Sequence, residues 1–290
     1  MTRHRTLSDL IGEPTETEKA VAVIEARADA YGDHDGHTMN ARAFAERYAG
    51  KLLFVPELKA WFQYDGVVWA PASVGVIMQG WAAERETAAL EAFMEQETER
   101  TKYALKHARA LLHKLDNQDK TLRAASQLPS MSKPLAAFDQ NPYLLAVANG
   151  VLNLRTGKLV PARPDQYLMR RAPVAFDAGA DCPEFMAYLR KVQPDVEMRD
   201  FLQRATGYTL MGDASEERFF FAHGGAATGK SLYVGVLVAL LGPFAVNIPS
   251  QHLTASRHNV DPERVHARLI GARLALSNET REGTLWNEVL

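Results

Sequence analysis

The segment Gly224-Gly225-Ala226-Ala227-Thr228-Gly229-Lys230-Ser231 carries the residue types that bind phosphate. Its spacing is a glycine, four residues, a second glycine, then lysine and serine. Gly224 and Gly229 allow backbone conformations, and an approach of phosphate, that a Cβ denies. Lys230 supplies a compact positive charge for β- and γ-phosphates. The Ser231 hydroxyl suits Mg²⁺, which keeps several waters and takes phosphate oxygens as further ligands. The eight residues Gly224, Gly225, Ala226, Ala227, Thr228, Gly229, Lys230 and Ser231 are therefore expected to hold a nucleoside triphosphate with Mg²⁺.

Chemistry of this kind needs a particular frame around the loop. Arg218-Phe219-Phe220-Phe221-Ala222-His223 reads as a short buried strand entering it, with His223 packing at the strand end. Ser231 to Leu241 is apolar on nearly all sides, as expected of a helix sandwiched against a parallel sheet. Strand, loop and helix in that order let backbone N–H groups and a helix N-terminus surround phosphates. An acid at the end of a second strand must complete the site. Ala272-Arg273-Leu274-Ala275-Leu276-Ser277 leads to Asn278-Glu279, so Glu279 is the candidate to orient water and to hold the magnesium shell through water. The competing reading is a surface glutamate in a strand-to-helix turn. Glu282 and Glu288 are weaker alternatives, and Asn278 stands where a metal-directed Asp is common.

The bulk properties bound these readings. A chain of 290 residues accommodates about two domains. It is 47% hydrophobic and 23% charged, which excludes a disordered chain. With a formal net charge of −2, any nucleic-acid contact must come from a local patch or from assembly. The single cysteine, Cys182, excludes an internal disulfide framework and a cysteine-based zinc cluster. The polar N-terminus lacks a signal-peptide pattern, and the longest apolar run, Leu232 to Leu241, is about half a membrane span. A soluble, cytoplasmic protein is expected, with no membrane partner.

Upstream, residues 1–37 read as a polar leader, with a short helical stretch near Lys19 to Tyr31. Thr38 to Ala49 suits an amphipathic helix opened by Asn40 as its cap. Tyr64-Asp65-Gly66-Val67-Val68-Trp69 has the Asp-Gly pair of a tight hairpin. The aromatic side chains Trp61, Tyr64 and Trp69 either pack a small core or stack bases. A long helical region from about Val76 to Ala125 carries Lys102, Lys106, Arg109, Lys114, Lys120 and Arg123, which form either a solvated face or a DNA-facing surface. Asn149-Gly150 and Thr156-Gly157 bracket a short apolar strand. Pro183 opens a helix to Val192 with Asp181 as its cap, and another helix spans about Asp195 to Tyr208. The domain boundary is placed near Ala214, giving a mainly α domain with short hairpins over 38–213 and an ATPase portion over 214–290.

From these motifs a family resemblance emerges. The phosphate loop, together with Ala267 through Gly283, resembles the phage and plasmid superfamily 3 helicases, including the D5/P4-type primase-helicases. Phe138-Asp139 through Leu145, Asn149 through Leu154, Cys182-Pro183-Glu184-Phe185 and Gly207-Tyr208 resemble the helical D5 N-terminal domain of that family. The Val55-Pro56-Glu57-Leu58 segment with Trp61, Tyr64-Asp65-Gly66 and Trp69 is similar to sequences just upstream in such proteins. The resemblance implies an α/β P-loop NTPase of the AAA+ type, partial, behind a D5-like N-terminal domain. It implies ATP hydrolysis coupled to translocation on single-stranded DNA, a homo-hexamer, and a phage or prophage source. Lys230 and Ser231 then carry nucleotide and magnesium, and Glu279 is the Walker B acid. The sensor, DNA-contacting hairpin and arginine finger of the family would lie beyond Leu290, and priming would reside in a separate primase. The chain is thus expected to end after the Walker B strand, with an unpaired sheet edge and weak or absent helicase activity by itself.

Two further readings stand beside this one. A small-molecule kinase or packaging ATPase shares the phosphate loop but wants lid arginines and an acceptor site. A non-catalytic module would use its N-terminal helices to dock DNA or a primase.

Overall fold

The computed structural model describes residues 36–250 and 269–277. The chain divides into two compact units: one runs to Gln63 and resumes over Pro71–Leu135, the other comprises Tyr64–Ala70 and Ala136 onward.

The first unit is a helical cluster against a β-hairpin. Helix α1 (Gly36–Tyr48) precedes the antiparallel strands β1 (Leu52–Val55) and β2 (Ala60–Tyr64), paired Leu53 to Phe62 and Val55 to Ala60. Strand β3 (Trp69–Pro71) leads back into the helices. The expected Val76–Ala125 helical region is three helices: α2 (Val74–Glu95), α3 (Glu99–His113) and α4 (Leu115–Ala125). The break before α3 is built by Thr98, whose hydroxyl accepts from the Thr101 N–H at 3.1 Å while the Thr98 N–H donates to the Thr101 hydroxyl at 3.0 Å. This reciprocal capping box satisfies donors that a helix start leaves open. Asn40 lies inside α1 and is not its cap.

Phe44, fully buried, centres this core with Trp61 at 6.4 Å and Trp81 at 5.2 Å, both edge-on. Edge-to-face rings place the positive edge of one on the negative face of the other. Gln118 is buried, yet its amide donates to the Leu111 and Leu112 carbonyls at 3.1 and 3.0 Å, which meets the need of a buried polar group for partners.

The second unit begins with a turn. The Asp65 carboxylate accepts from the Val67 and Val68 N–H groups, both at 2.9 Å, confirming the Asp-Gly turn. Trp69 is buried, and its indole N–H donates to the Pro164 carbonyl at 3.0 Å. A three-stranded antiparallel meander follows, β4 (Leu144–Val147), β5 (Gly150–Asn153) and β6 (Lys158–Val160), with the two glycine turns where the sequence places them. Helices α5 (Pro183–Val192), α6 (Val196–Leu210) and α7 (Lys230–Leu241) come next. The α5 cap position is Cys182 rather than Asp181, whereas Asp195 caps α6 by accepting from the Glu197 N–H at 3.0 Å.

Strands β7 (Ala245–Asn247) and β8 (Leu274–Leu276) form a parallel pair. Leu145, Val147, Leu152, Leu241 and Phe244 share one buried cluster, so the meander, the end of α7 and the start of β7 are packed on a common core. Among the described residues no helix is long and apolar enough to cross a membrane.

Candidate functional site

The loop predicted to bind phosphate has the backbone its glycines allow. Gly224 and Gly229 take φ of +146° and +89°, and Ala227 lies left-handed at +57°. Gly229 is the residue on which α7 starts, so Lys230 and Ser231 occupy its first turn. A helix start exposes N–H groups without intrahelical partners and carries partial positive charge. The Lys230 ammonium folds back across the loop. It donates to the Gly224 carbonyl at 2.9 Å, the Gly225 carbonyl at 2.8 Å and the Thr228 hydroxyl at 3.0 Å. A Cβ on Gly224 would stand 3.6 Å from the Thr228 hydroxyl and 3.8 Å from Lys230 Nζ, which places it in the mouth of the loop. Ala226, Ala227 and Ser231 are exposed around this mouth. The arrangement can hold a multiply charged oxyanion against a cation and a helix N-terminus.

Beneath the loop is a contact that sequence reasoning missed. The Tyr188 hydroxyl of α5 donates to the Gly229 carbonyl at 2.6 Å. A Cβ on Gly229 would meet that hydroxyl at 2.8 Å and Val192 Cγ1 at 2.9 Å. Phe185 stacks on Tyr233 of α7 with centroids 6.3 Å apart, and Thr206 of α6 meets the Tyr233 hydroxyl at 2.5 Å. The i, i+3, i+7 spacing of Phe185, Tyr188 and Val192 puts them on one helical face, but nothing in the sequence names the loop as its partner.

Two expectations about the frame are corrected. Residues 218–223 lie outside any β-ladder among the described residues, and Phe219, Phe220 and Phe221 are 80%, 51% and 66% exposed. Helix α7 is not sandwiched: of its residues only Leu241 is buried. A buried strand requires ladder partners and an apolar helix requires a sheet face to lie on, and the described parallel sheet has only two strands, β7 and β8. His223 is exposed beside Phe221. The strand expected before Glu279 is present as β8, while Asn278, Glu279, Glu282 and Glu288 lie outside the described residues.

Just before β8, the Arg273 guanidinium is clasped by the backbone. It donates to the Pro142 carbonyl at 3.3 Å, the Leu144 carbonyl at 2.5 Å and the Leu210 carbonyl, and lies over the Phe244 ring at 5.1 Å. Arg170 donates to the Pro243 carbonyl at 2.8 Å and the Ile270 carbonyl at 2.5 Å. Between them Asp139 accepts from the Met169 N–H at 3.2 Å. Burial pushes the Asp139 carboxyl above its ordinary range, partly offset by that N–H and by both guanidiniums. Burial also lowers Arg273 to about 10, with Asp139 opposing the shift. None of the three has a role assigned from sequence: Arg273 reads only as part of the strand before Asn278-Glu279 and Asp139 only as part of a longer motif, since charged residues read as solvated until their partners are seen.

The remaining candidates have structural partners of their own. Trp61 and Trp69 are core residues, and Tyr64 donates to the Gly66 carbonyl at 2.9 Å, so the packing reading holds. Of the basic cluster, Lys102 pairs with Glu97 and Glu99, Arg109 with Glu86, and Lys120 with Asp116, which neutralises half of it. An open groove of about 470 Å³ lies along Gln140–Leu144, Asn153 and Arg155, with no loop residue in its lining. Among the described residues no group of three or more His, Cys, Asp or Glu could hold a metal.

The architecture is thus that of a mixed α/β protein in which a helical region precedes a glycine-rich loop at a helix start. Residues 41–194 match the family described as D5 N terminal like, and the chain belongs to that family. It is also 30% identical over 127 residues to the protein named "Putative helicase L207/L206" of Acanthamoeba polyphaga mimivirus. That match covers 42% of this chain and 13% of the mimivirus protein, so the chain corresponds to a small part of that relative.

Proposed function

We propose that residues Gly224 to Ser231 bind ATP with Mg²⁺, as the nucleotide site of a phage- or virus-type replicative DNA helicase of superfamily 3. The observation carrying this reading is the Lys230 ammonium held 2.8–3.0 Å from two loop carbonyls and a hydroxyl, at the N-terminus of α7. On nucleotide entry, Lys230 exchanges those acceptors for β- and γ-phosphate oxygens, and the loop amides take the remainder. The Ser231 hydroxyl, in the first turn of α7, would join the shell of a magnesium ion that offsets phosphate charge. Glu279, following β8, orients the attacking water. In this scheme the complete protein is a homo-hexamer moving on single-stranded DNA, with a separate primase. Family membership and the helicase name of the mimivirus relative support it.

The test is binding of a fluorescent ATP analogue with Mg²⁺, and ATP hydrolysis with and without single-stranded DNA, for the wild-type chain and Lys230→Ala. The variant is expected to lose at least tenfold in affinity, since a charge-assisted contact to phosphate contributes about 1.5–3 kcal/mol. Equal binding by the two proteins refutes the assignment.

A further inference from the structure

We infer that Tyr188 is a positioning residue for the phosphate loop, and that through it α5 senses whether the loop is occupied. The inference rests on the proposed nucleotide site and extends it into the D5-like segment, whose matched residues end at 194 and include all of α5.

Beyond the Lys230 and Thr228 contacts within it, the loop has few holds from outside among the described residues. Residues 218–223 enter it without a ladder among the described residues, and Gly224 through Thr228 are exposed. Its far end is gripped from below. Tyr188 donates to the Gly229 carbonyl at 2.6 Å, and Val192 closes on the same residue. The Gly229 carbonyl also accepts from the Leu232 and Tyr233 N–H groups at 3.0 and 3.1 Å, the opening bonds of α7. One oxygen therefore fixes both the first turn of the helix and its distance from α5. Phe185 against Tyr233, and Thr206 against the Tyr233 hydroxyl, repeat the grip one turn along α7. Any shift of Gly229 toward an anion must stretch the Tyr188 contact or carry α5 with it. Coupling of this kind is reciprocal: a helix that orders the loop is itself ordered by what the loop binds.

Since the Gly229 carbonyl keeps two other donors, loss of the Tyr188 hydroxyl leaves no orphaned acceptor. Tyr188→Phe keeps the ring and is expected to fold. Its effect should appear in ligand affinity rather than in folding: about fivefold weaker binding of the fluorescent ATP analogue with Mg²⁺, the size of one neutral hydrogen bond.

The experiment uses the 290-residue chain as wild type, Tyr188→Phe and Lys230→Ala, reading analogue affinity and hydrogen exchange of residues 183–192 with and without ATP and Mg²⁺. Expected is nucleotide-dependent protection of 183–192 in the wild type, absent in Lys230→Ala, and reduced in Tyr188→Phe while its nucleotide-free exchange matches wild type. If Lys230→Ala loses binding but Tyr188→Phe keeps both affinity and protection, the positioning role is overturned and the nucleotide site stands. If wild type and Lys230→Ala bind alike, the nucleotide site falls and this inference with it. Should Tyr188→Phe fail to fold, the wild-type exchange decides: nucleotide binding without protection of 183–192 overturns the inference.

Discussion

Replacing Arg273 by methionine separates two opposed contributions whose sizes can be worked out. Burial lowers the guanidinium pKa to about 10, so the charged form is disfavoured in the folded protein by about 3 kcal/mol. Against this stand three hydrogen bonds from a charged donor to the Pro142, Leu144 and Leu210 carbonyls, each contributing about 1.5–3 kcal/mol. The bonds outweigh the burial cost. Methionine keeps the stem over Phe244 and removes the fork. The Pro142 carbonyl retains the Gly212 N–H at 3.1 Å, which leaves the Leu144 and Leu210 carbonyls without that donor. Both residues are half-buried and water reaches them in part, so the loss is set at the low end, about 2–3 kcal/mol.

A two-unit chain is unsuited to a single unfolding midpoint, so native-state hydrogen exchange is the assay. Arg273→Met should lower protection of β4 and β8 by about 30- to 150-fold, with residues 105–112 of the other unit as internal reference. Arg273→Lys should fall between, since an ammonium lacks the planar fork that reaches three carbonyls. A change below threefold in β4 and β8, or an equal change in 105–112, refutes the reasoning that this guanidinium fastens β8 to the meander.

Gly229→Ala should reduce analogue binding more than Tyr188→Phe does, because alanine at φ +89° is strained and its Cβ meets Tyr188 and Val192 below 3.0 Å. Affinity within twofold of wild type would count against both arguments. Asp139→Asn tests the buried carboxyl. Its folded pKa is raised above 3.8, so its stabilising contribution is complete below about pH 4 and is lost as pH rises through the folded value. Asparagine keeps an acceptor for the Met169 N–H and does not titrate, so hydrogen-exchange protection of β4 in the wild type should fall relative to the variant from pH 4 upward. Parallel curves across pH 3.5–6.5 would show that Asp139 ionises at its ordinary value.

Local chemistry was legible in the sequence wherever it was also local in space. The Asp65-Gly66 turn closes through the carboxylate of Asp65 on amides two and three residues away. Pro183 and Asp195 mark helix starts within a residue, because caps and fixed φ act over one turn. The bent backbone of the glycine-rich loop was legible too, since Gly224 and Gly229 take the positive φ that their residue type allows. What was not legible depends on contacts between distant residues. Tyr188 is 41 residues from Gly229, and Arg273 reaches carbonyls 63 to 131 residues earlier. Apolar composition also misled in one place. Phe219-Phe220-Phe221 and α7 have the makeup of buried elements, but composition gives a tendency to be covered and does not supply the cover.

The Lys230 contacts bear on how readily the loop changes hands. A lysine committed to three acceptors would be a poor ligand if leaving them exposed unsatisfied groups. Here the Gly225 carbonyl also accepts from the Thr228 hydroxyl at 3.0 Å, so it keeps a partner when the ammonium departs. Gly224 and Thr228 are exposed, and water replaces the lysine at their oxygens. The exchange therefore trades neutral acceptors for phosphate oxygens bearing formal charge, where hydrogen bonds are roughly twice as strong. On the proposed reading, Thr228 both satisfies the Gly225 carbonyl and supplies one of the acceptors the lysine must leave. Thr228→Val should leave the loop glycines undisturbed yet remove one of the three acceptors of the Lys230 ammonium, so the lysine is held less firmly in the free protein. The expected result is a faster association rate for the fluorescent analogue with little change in its dissociation rate. A change confined to dissociation would instead mean that the hydroxyl acts on bound nucleotide and not on the resting lysine.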